Sequence, residues 1–164
     1  MPEPDVRSAL AALHAECWAW ALACNGRDRQ RAEEALQRAY ERILEGQARF
    51  RQQSSFKTFV FGVIRTTSHE RRPRLHAPLT SAMVDAALTP DALAAAAERR
   101  ENLLAALAQL SQRQREVIEL VFYHELTIDE AATVMHVSIG SARTHYERGK
   151  TRLRALLSKE AMEV

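Results

Sequence analysis

The chain has 164 residues, of which 46% are hydrophobic and 27% charged, so it can bury a core and is neither disordered nor fibrous. Its two cysteines, Cys17 and Cys24, form no Cys-x-x-Cys pair, which excludes a disulfide framework. A formal net charge of +2 is close to neutral, so any affinity for a polyanion must come from how charge is distributed.

Val6, Leu10, Leu13, Cys17, Trp20 and Cys24 step alternately by four and three residues, one stripe of an amphipathic helix. Gly26-Arg27-Asp28 reads as the turn after it. A second helix is predicted from about Gln30 to Glu45, with Ala32, Leu36, Tyr40 and Ile43 as its apolar stripe and Gly46 at the C-terminal cap. A third begins after Ser54-Ser55, both suitable N-caps. Its apolar positions are Phe56, Phe59, Val60, Val63, Ile64 and Thr67, and Pro73 requires it to stop near Arg72. Phe61 falls off that stripe, so core packing is expected for Phe56 and Phe59 but not for Phe61.

Pro73, Pro78 and Pro90 then punctuate a stretch rich in Ala, Ser and Thr with little periodicity, read as a linker over 73–89. Thr89-Pro90-Asp91 has the form of a helix start, and Leu93, Ala96, Arg100, Leu103, Leu107 and Leu110 follow on roughly one face. Ser111-Gln112-Arg113-Gln114 is a capping box opening a helix that carries Val117, Ile118, Leu120, Val121 and Phe122. Thr127-Ile128-Asp129-Glu130 is a second box and opens a short helix to about Val134. Ser138 can cap a last helix from Ile139 to about Leu157. The fold class is therefore all-α: two small helical domains, residues 1–72 and 90–164, joined by a flexible linker.

Two basic blocks stand out. From Arg49 to Arg74 there are seven cations against one anion, and from Ile139 to Leu157 five against one. Either block alone could be a solvated helix face; together they suggest two contacts with a polyanion. The short capped helix, the Met135-His136-Val137 turn and the capped basic helix have the outline of a helix-turn-helix. Ala131 and Ala132 permit a close crossing, and Val137 and Ala142 can fill the angle. Gly140 and Ser141 let the backbone approach a phosphate at a helix N-terminus. Arg143, Thr144, Arg148 and Lys150 project from the second helix, where an Arg fork matches guanine acceptors in the major groove.

Four segments in this region, L-S-Q-R-Q-R-E-V (110–117), L-T-I-D-E-A-A (126–132), V-S-I-G-S (137–141) and R-G-K-T-R-L-R (148–154), resemble in order region four of the extracytoplasmic-function sigma factors. Alone they also resemble the DNA-binding modules of other regulators. Residues 32–44 (AEEALQRAYERIL) resemble the helix by which such factors grip RNA polymerase, with Glu33, Glu34, Gln37 and Tyr40 as the implied polymerase-binding residues. Residues 55–72 (SFKTFVFGVIRTTSHERR) resemble the helix that reads and melts the −10 promoter element. The resemblance implies a region-two domain over 1–72 and a region-four domain over 90–164. Lys57, Phe61, Arg65, Thr66, Arg71 and Arg72 are then the candidates for the −10 element. Ser138, Gly140, Ser141, Arg143, Thr144, His145, Arg148 and Lys150 are the candidates for the −35 element. The implied partners are core RNA polymerase, duplex and melted promoter DNA, and an anti-sigma factor; the free chain is expected to be a monomer.

Several positions depart from the family pattern. Arg31 and Arg38 stand where acidic residues are usual, Thr66 where an Asn is common, and Gly62 where a basic residue is frequent. His136 replaces the usual turn Gly, at a cost of roughly 1 kcal/mol if a left-handed backbone is needed. His145 replaces a common Arg. A sigma-like regulator working without polymerase, and a sigma mimic that titrates an anti-sigma factor, remain as alternatives.

Catalysis is not expected. The histidines, His14, His69, His76, His124, His136 and His145, are scattered over separate elements, with no His-x-x-x-His pair and no nucleophile motif. His14 and Cys17 lie three apart, but in an apolar stripe core packing is the expected role rather than zinc. No cofactor or metal is implied. The acidic opening Met-Pro-Glu-Pro-Asp lacks a secretory profile, and no apolar run approaches the roughly 20 residues needed to span a bilayer. The expected compartment is the cytosol.

Overall fold

The computed structural model describes residues 5–70 and 89–162. The chain is all-α, and its helices begin where side chains can hold unpaired backbone donors. Helix α1 (Val6–Cys24) is capped by Asp5, and α2 (Arg29–Leu44) by Asp28. Between them Gly26 and Arg27 both take positive φ, 62° and 66°, making the predicted tight turn. Helix α3 (Phe56–His69) is capped by Ser55, whose hydroxyl accepts from the Thr58 N–H. The predicted linker and the expected end of α3 at Arg72 lie outside the described residues, apart from Thr89.

In the C-terminal half, α4 (Pro90–Ala108) starts at Thr89 with Pro90 in its first turn. Helix α5 (Gln112–Ile118) and α6 (Ile128–Met135) each open with the capping box read from the sequence, on Ser111/Gln114 and Thr127/Glu130. Helix α7 (Ile139–Met162) runs further than expected. One local feature was not foreseen. Helix α5 continues into a π-helical turn, Glu119–Tyr123, closed by the His124 N–H donating to the Glu119 carbonyl at 3.1 Å. The wider turn keeps Leu120 fully buried and leaves Phe122 and Tyr123 62% and 64% exposed.

Helices α1, α2 and α3 pack against one another, as do α5, α6 and α7, while α4 lies on α7. Helix α7 crosses α5 at the buried Gly149, where an added Cβ would stand 2.7 Å from Ile118 Cδ1. The two halves are also joined, because α3 packs against α6. One apolar cluster runs from Leu10, Trp20 and Leu36 through Phe61 and Ile64 to Leu120, Val134 and Met135. Each large side chain taken wholly out of water contributes about 1.5–3 kcal/mol, so Trp20, Phe61, Ile64 and Leu120, all fully buried, bind the halves together through the hydrophobic effect. The described halves are thus docked rather than held apart.

Candidate nucleic-acid interface

The helix-turn-helix forms as the sequence suggests. Helix α6 buries Ala131, Ala132, Val134 and Met135. His136 ends it in the left-handed region, at φ 55° and ψ 42°. Its N–H bonds to the Thr133 carbonyl and the next N–H to Ala132, which satisfies the last turn. Ser138 caps α7: its hydroxyl accepts from the Ser141 N–H at 3.1 Å and donates to Ser141 Oγ at 2.9 Å. Ala142 is fully buried at the crossing of the two helices.

With that face anchored, Ser138, Gly140, Ser141, Arg143, Thr144 and Arg148 are exposed, and His145 and Lys150 half-buried. The structure brings these predicted −35 residues onto one rigid helix. The Thr144 hydroxyl donates to the Gly140 carbonyl at 3.0 Å, and Lys150 lies over the Tyr146 ring, 3.3 Å from Glu147. Neither Arg143 nor Arg148 enters an ion pair among the described residues, which leaves both guanidinium groups facing solvent.

The predicted −10 residues lie elsewhere than expected. Lys57 Nζ donates to the His124 carbonyl at 2.8 Å and to Glu16 at 3.1 Å. Arg65 Nε donates to Glu116 Oε2 at 2.9 Å, a nearly buried pair with side chains 12% and 5% exposed. Thr66 is exposed; its hydroxyl donates to the Gly62 carbonyl and lies 3.4 Å from His136 Nε2. Arg71 and Arg72 lie outside the described residues. The structure therefore gathers Lys57, Arg65 and Thr66 on one side of α3, but that side faces the C-terminal half.

Phe61 corrects the sequence reading. It is fully buried, stacked on Trp20 at 5.8 Å and met edge-on by His124 at 4.8 Å. The stripe argument gave α3 a single apolar face; α3 in fact lies between α1 and α2 on one side and α6 on the other, so a second face is covered. Phe56 and Phe59 are half-buried and pack on Phe50. Beside them a cavity of about 570 Å³ is lined by Arg49, Arg51, Phe59, Thr66 and His136, among others.

On α2, Glu33, Glu34 and Gln37 lie on the exposed side, opposite Ala32, Ala35, Leu36 and Ala39. Tyr40 is half-buried, with its hydroxyl 3.0 Å from His14 Nδ1. Burial pushes the Cys17 thiol up to about 11, which keeps it neutral and unsuited to a metal. Arg31 pairs with Asp28 at 3.6 Å.

Four residues of the interface between the halves escaped the sequence reading: Arg27, Glu116, Glu119 and His124. Arg27 Nη2 donates to Glu119 Oε1 at 2.7 Å. Burial raises the Glu116 carboxyl, but hydrogen bonding from His69 and the Arg65 charge outweigh it, so its pKa is lowered. Glu119 goes the other way: burial dominates the opposing pull of Arg27 and Arg115. His124 is 2% exposed, wedged against Trp20 and Phe61. Its Nε2 has no hydrogen-bond partner among the described residues. Burial first, and the nearby Lys57 and Arg27 charges second, lower its pKa from 6.5 to about 4. The available signal was polarity out of place: Glu116, Glu119 and His124 surround an apolar run too wide for a helix with one buried face.

Residues 100–153 match the Sigma-70, region 4 family. The chain is 31% identical over 150 residues to the ECF RNA polymerase sigma factor SigX of Bacillus subtilis (strain 168), covering 84% of this chain and 77% of that protein. The fold is similar to that of the sigma factor RpoE from Bartonella quintana, solved in complex with the anti-sigma factor NepR (TM-score 0.75, 19% identity, 94% of this chain and 97% of that one). It is also similar to CnrH, solved with the cytosolic domain of CnrY (TM-score 0.66, 20% identity, 93% and 87%). An exposed basic helix on a helix-turn-helix, a three-helix N-terminal half and a relative matched along most of its length agree: the chain belongs to the extracytoplasmic-function sigma factors, which bind core RNA polymerase and direct it to promoter DNA.

Proposed function

We propose that the two halves divide the sigma-factor task, residues 1–72 taking core polymerase and the −10 element and residues 90–164 the −35 element. The observation that carries this reading is α7: Arg143 and Arg148 stand solvent-facing on a helix fixed by Ala142 and Gly149. Arg143, Thr144 and His145 read base edges, while Ser138, Gly140, Ser141, Arg148 and Lys150 position phosphates. Glu33, Glu34, Gln37 and Tyr40 form the polymerase contact. Arg31 and Arg38 leave that contact intact, because Arg31 is paired with Asp28 and Arg38 acts on Glu70.

Melting duplex DNA costs about 1.4 kcal/mol per base step. Holding the unpaired strand offsets that cost, and Lys57, Arg65, Thr66, Arg71 and Arg72 are the residues proposed for it. Phe61 is withdrawn as a direct contact while the halves are docked; it supports Trp20 instead. The protein acts in the cytoplasm, carries out no catalysis of its own and is held by an anti-sigma factor, as the solved RpoE and CnrH complexes suggest by analogy. No described helix is long and apolar enough to cross a membrane.

The test is in vitro transcription with core polymerase, the chain and a genomic fragment library. Discrete transcripts that need both polymerase and chain support the reading. Tight binding to duplex DNA without polymerase, and no transcripts with it, would instead favour a helix-turn-helix regulator.

A further inference from the structure

Three cations of the N-terminal half, on two different elements, each meet an acceptor offered by the segment from α5 to the residue after its π-helical turn. Arg65 meets Glu116 Oε2, Arg27 meets Glu119 Oε1, and Lys57 meets the His124 carbonyl. His69 and Gln112 close the first pair, both within 3.0 Å of Glu116 Oε1. The acceptors are two carboxylates and one carbonyl, all oxygen, and the donors are those a nucleic-acid backbone would need. Each donor can serve only one master: a guanidinium pinned at 2.7–2.9 Å on a nearly buried carboxylate is not available to a phosphate.

We propose that Glu116 and Glu119 act as built-in phosphate mimics, so that the free chain blocks its own single-stranded DNA face until the halves part, and that Arg27 belongs to that face with Lys57 and Arg65. The proposal rests on the −10 assignment above and extends it to a residue outside α3. Closure withholds the N-terminal cations while leaving α7 exposed, so it suppresses strand capture without hiding Arg143 or Arg148.

The experiment uses the full chain and a fluorescent mixed-sequence single-stranded 12-mer, read by anisotropy at low salt. Glu116→Gln with Glu119→Gln removes two charges with little change in shape; Glu98→Gln with Glu101→Gln, at exposed sites on α4, makes the same change in net charge as a control. Small-angle scattering reports whether the halves part, and circular dichroism reports that the helices remain. If the double variant loses helicity, Glu116→Gln alone replaces it. The expected result is a larger maximum dimension and at least about tenfold tighter binding than the control, with Arg27→Ala in the same background removing much of the gain. A variant that opens yet binds no better than the control overturns the mimicry, and one as compact and weakly binding as the starting chain overturns the clasp. Failure of the −10 assignment itself would show separately: Lys57→Ala with Arg65→Ala would then leave transcription by the holoenzyme unchanged.

Discussion

Lowering the pH from 7 to 5 should weaken the docked structure through His124. The ring is 2% exposed between Trp20 and Phe61, and its pKa is lowered from 6.5 to about 4. A base with a depressed pKa in the packed form contributes stability that is complete above 6.5 and lost as pH falls toward 4, because the opened or unfolded chain takes up the proton first. The full difference corresponds to about 3 kcal/mol, and integrating the two titrations to pH 5 gives about 2 kcal/mol, roughly a thirtyfold change in the equilibrium. Glu119 opposes this: its raised pKa makes the packed form the better proton acceptor there. Glu116, with a lowered pKa, acts only below the ordinary carboxylate range. Comparison with His124→Phe isolates the histidine, since the phenyl ring keeps the edge contacts but cannot be charged. Urea unfolding of the full chain, followed by tryptophan fluorescence, should show the midpoint falling from pH 7 to 5 by about 2 kcal/mol more in the starting chain than in the variant. Equal pH dependence in the two proteins would refute the reasoning.

Arg143→Ala should cost about 1–3 kcal/mol at a matched −35 base and little on scrambled DNA; footprinting of the holoenzyme on both sequences measures the difference, and equal losses would remove Arg143 from base reading. His136→Gly should relieve the left-handed backbone by about 1 kcal/mol, less whatever the weak Thr66 contact supplies, and thermal denaturation reads the sum. Ser111→Ala removes the side-chain half of a capping box and should lower stability by about 0.5–2 kcal/mol. With roughly five phosphates neutralised, the logarithm of promoter affinity of the holoenzyme should gain a chain-dependent salt slope of about −4 to −5, measured against the same polymerase carrying a Lys57→Ala, Arg65→Ala, Arg143→Ala, Arg148→Ala chain.

Local chemistry made most of the fold legible. Both capping boxes, the Thr89-Pro90 start, the Gly26-Arg27 turn and the left-handed His136 each follow from a few neighbouring residues, and so does the exposure of Arg143 and Arg148. What stayed hidden depends on two distant segments meeting. Phe61 looked free because periodicity shows one stripe and cannot show that a second face of α3 will be covered. Arg65 looked like a surface cation because its partner, Glu116, lies 51 positions away. The π-helical turn was invisible for a related reason: Glu119–Tyr123 has ordinary helical residues, and only the demand to bury both Leu120 and His124 widens it.

That widened turn gives length, rather than composition, unusual leverage at one point of the chain. Deleting a single residue between Glu119 and Tyr123 would restore regular winding and swing everything beyond it by about 100° around the helix axis. His124 and Leu126 would leave their seats against the N-terminal half, while the side chains of α7 that face DNA would stay as they are. Insertions and deletions there should therefore vary how firmly the molecule shuts without altering which promoter it selects.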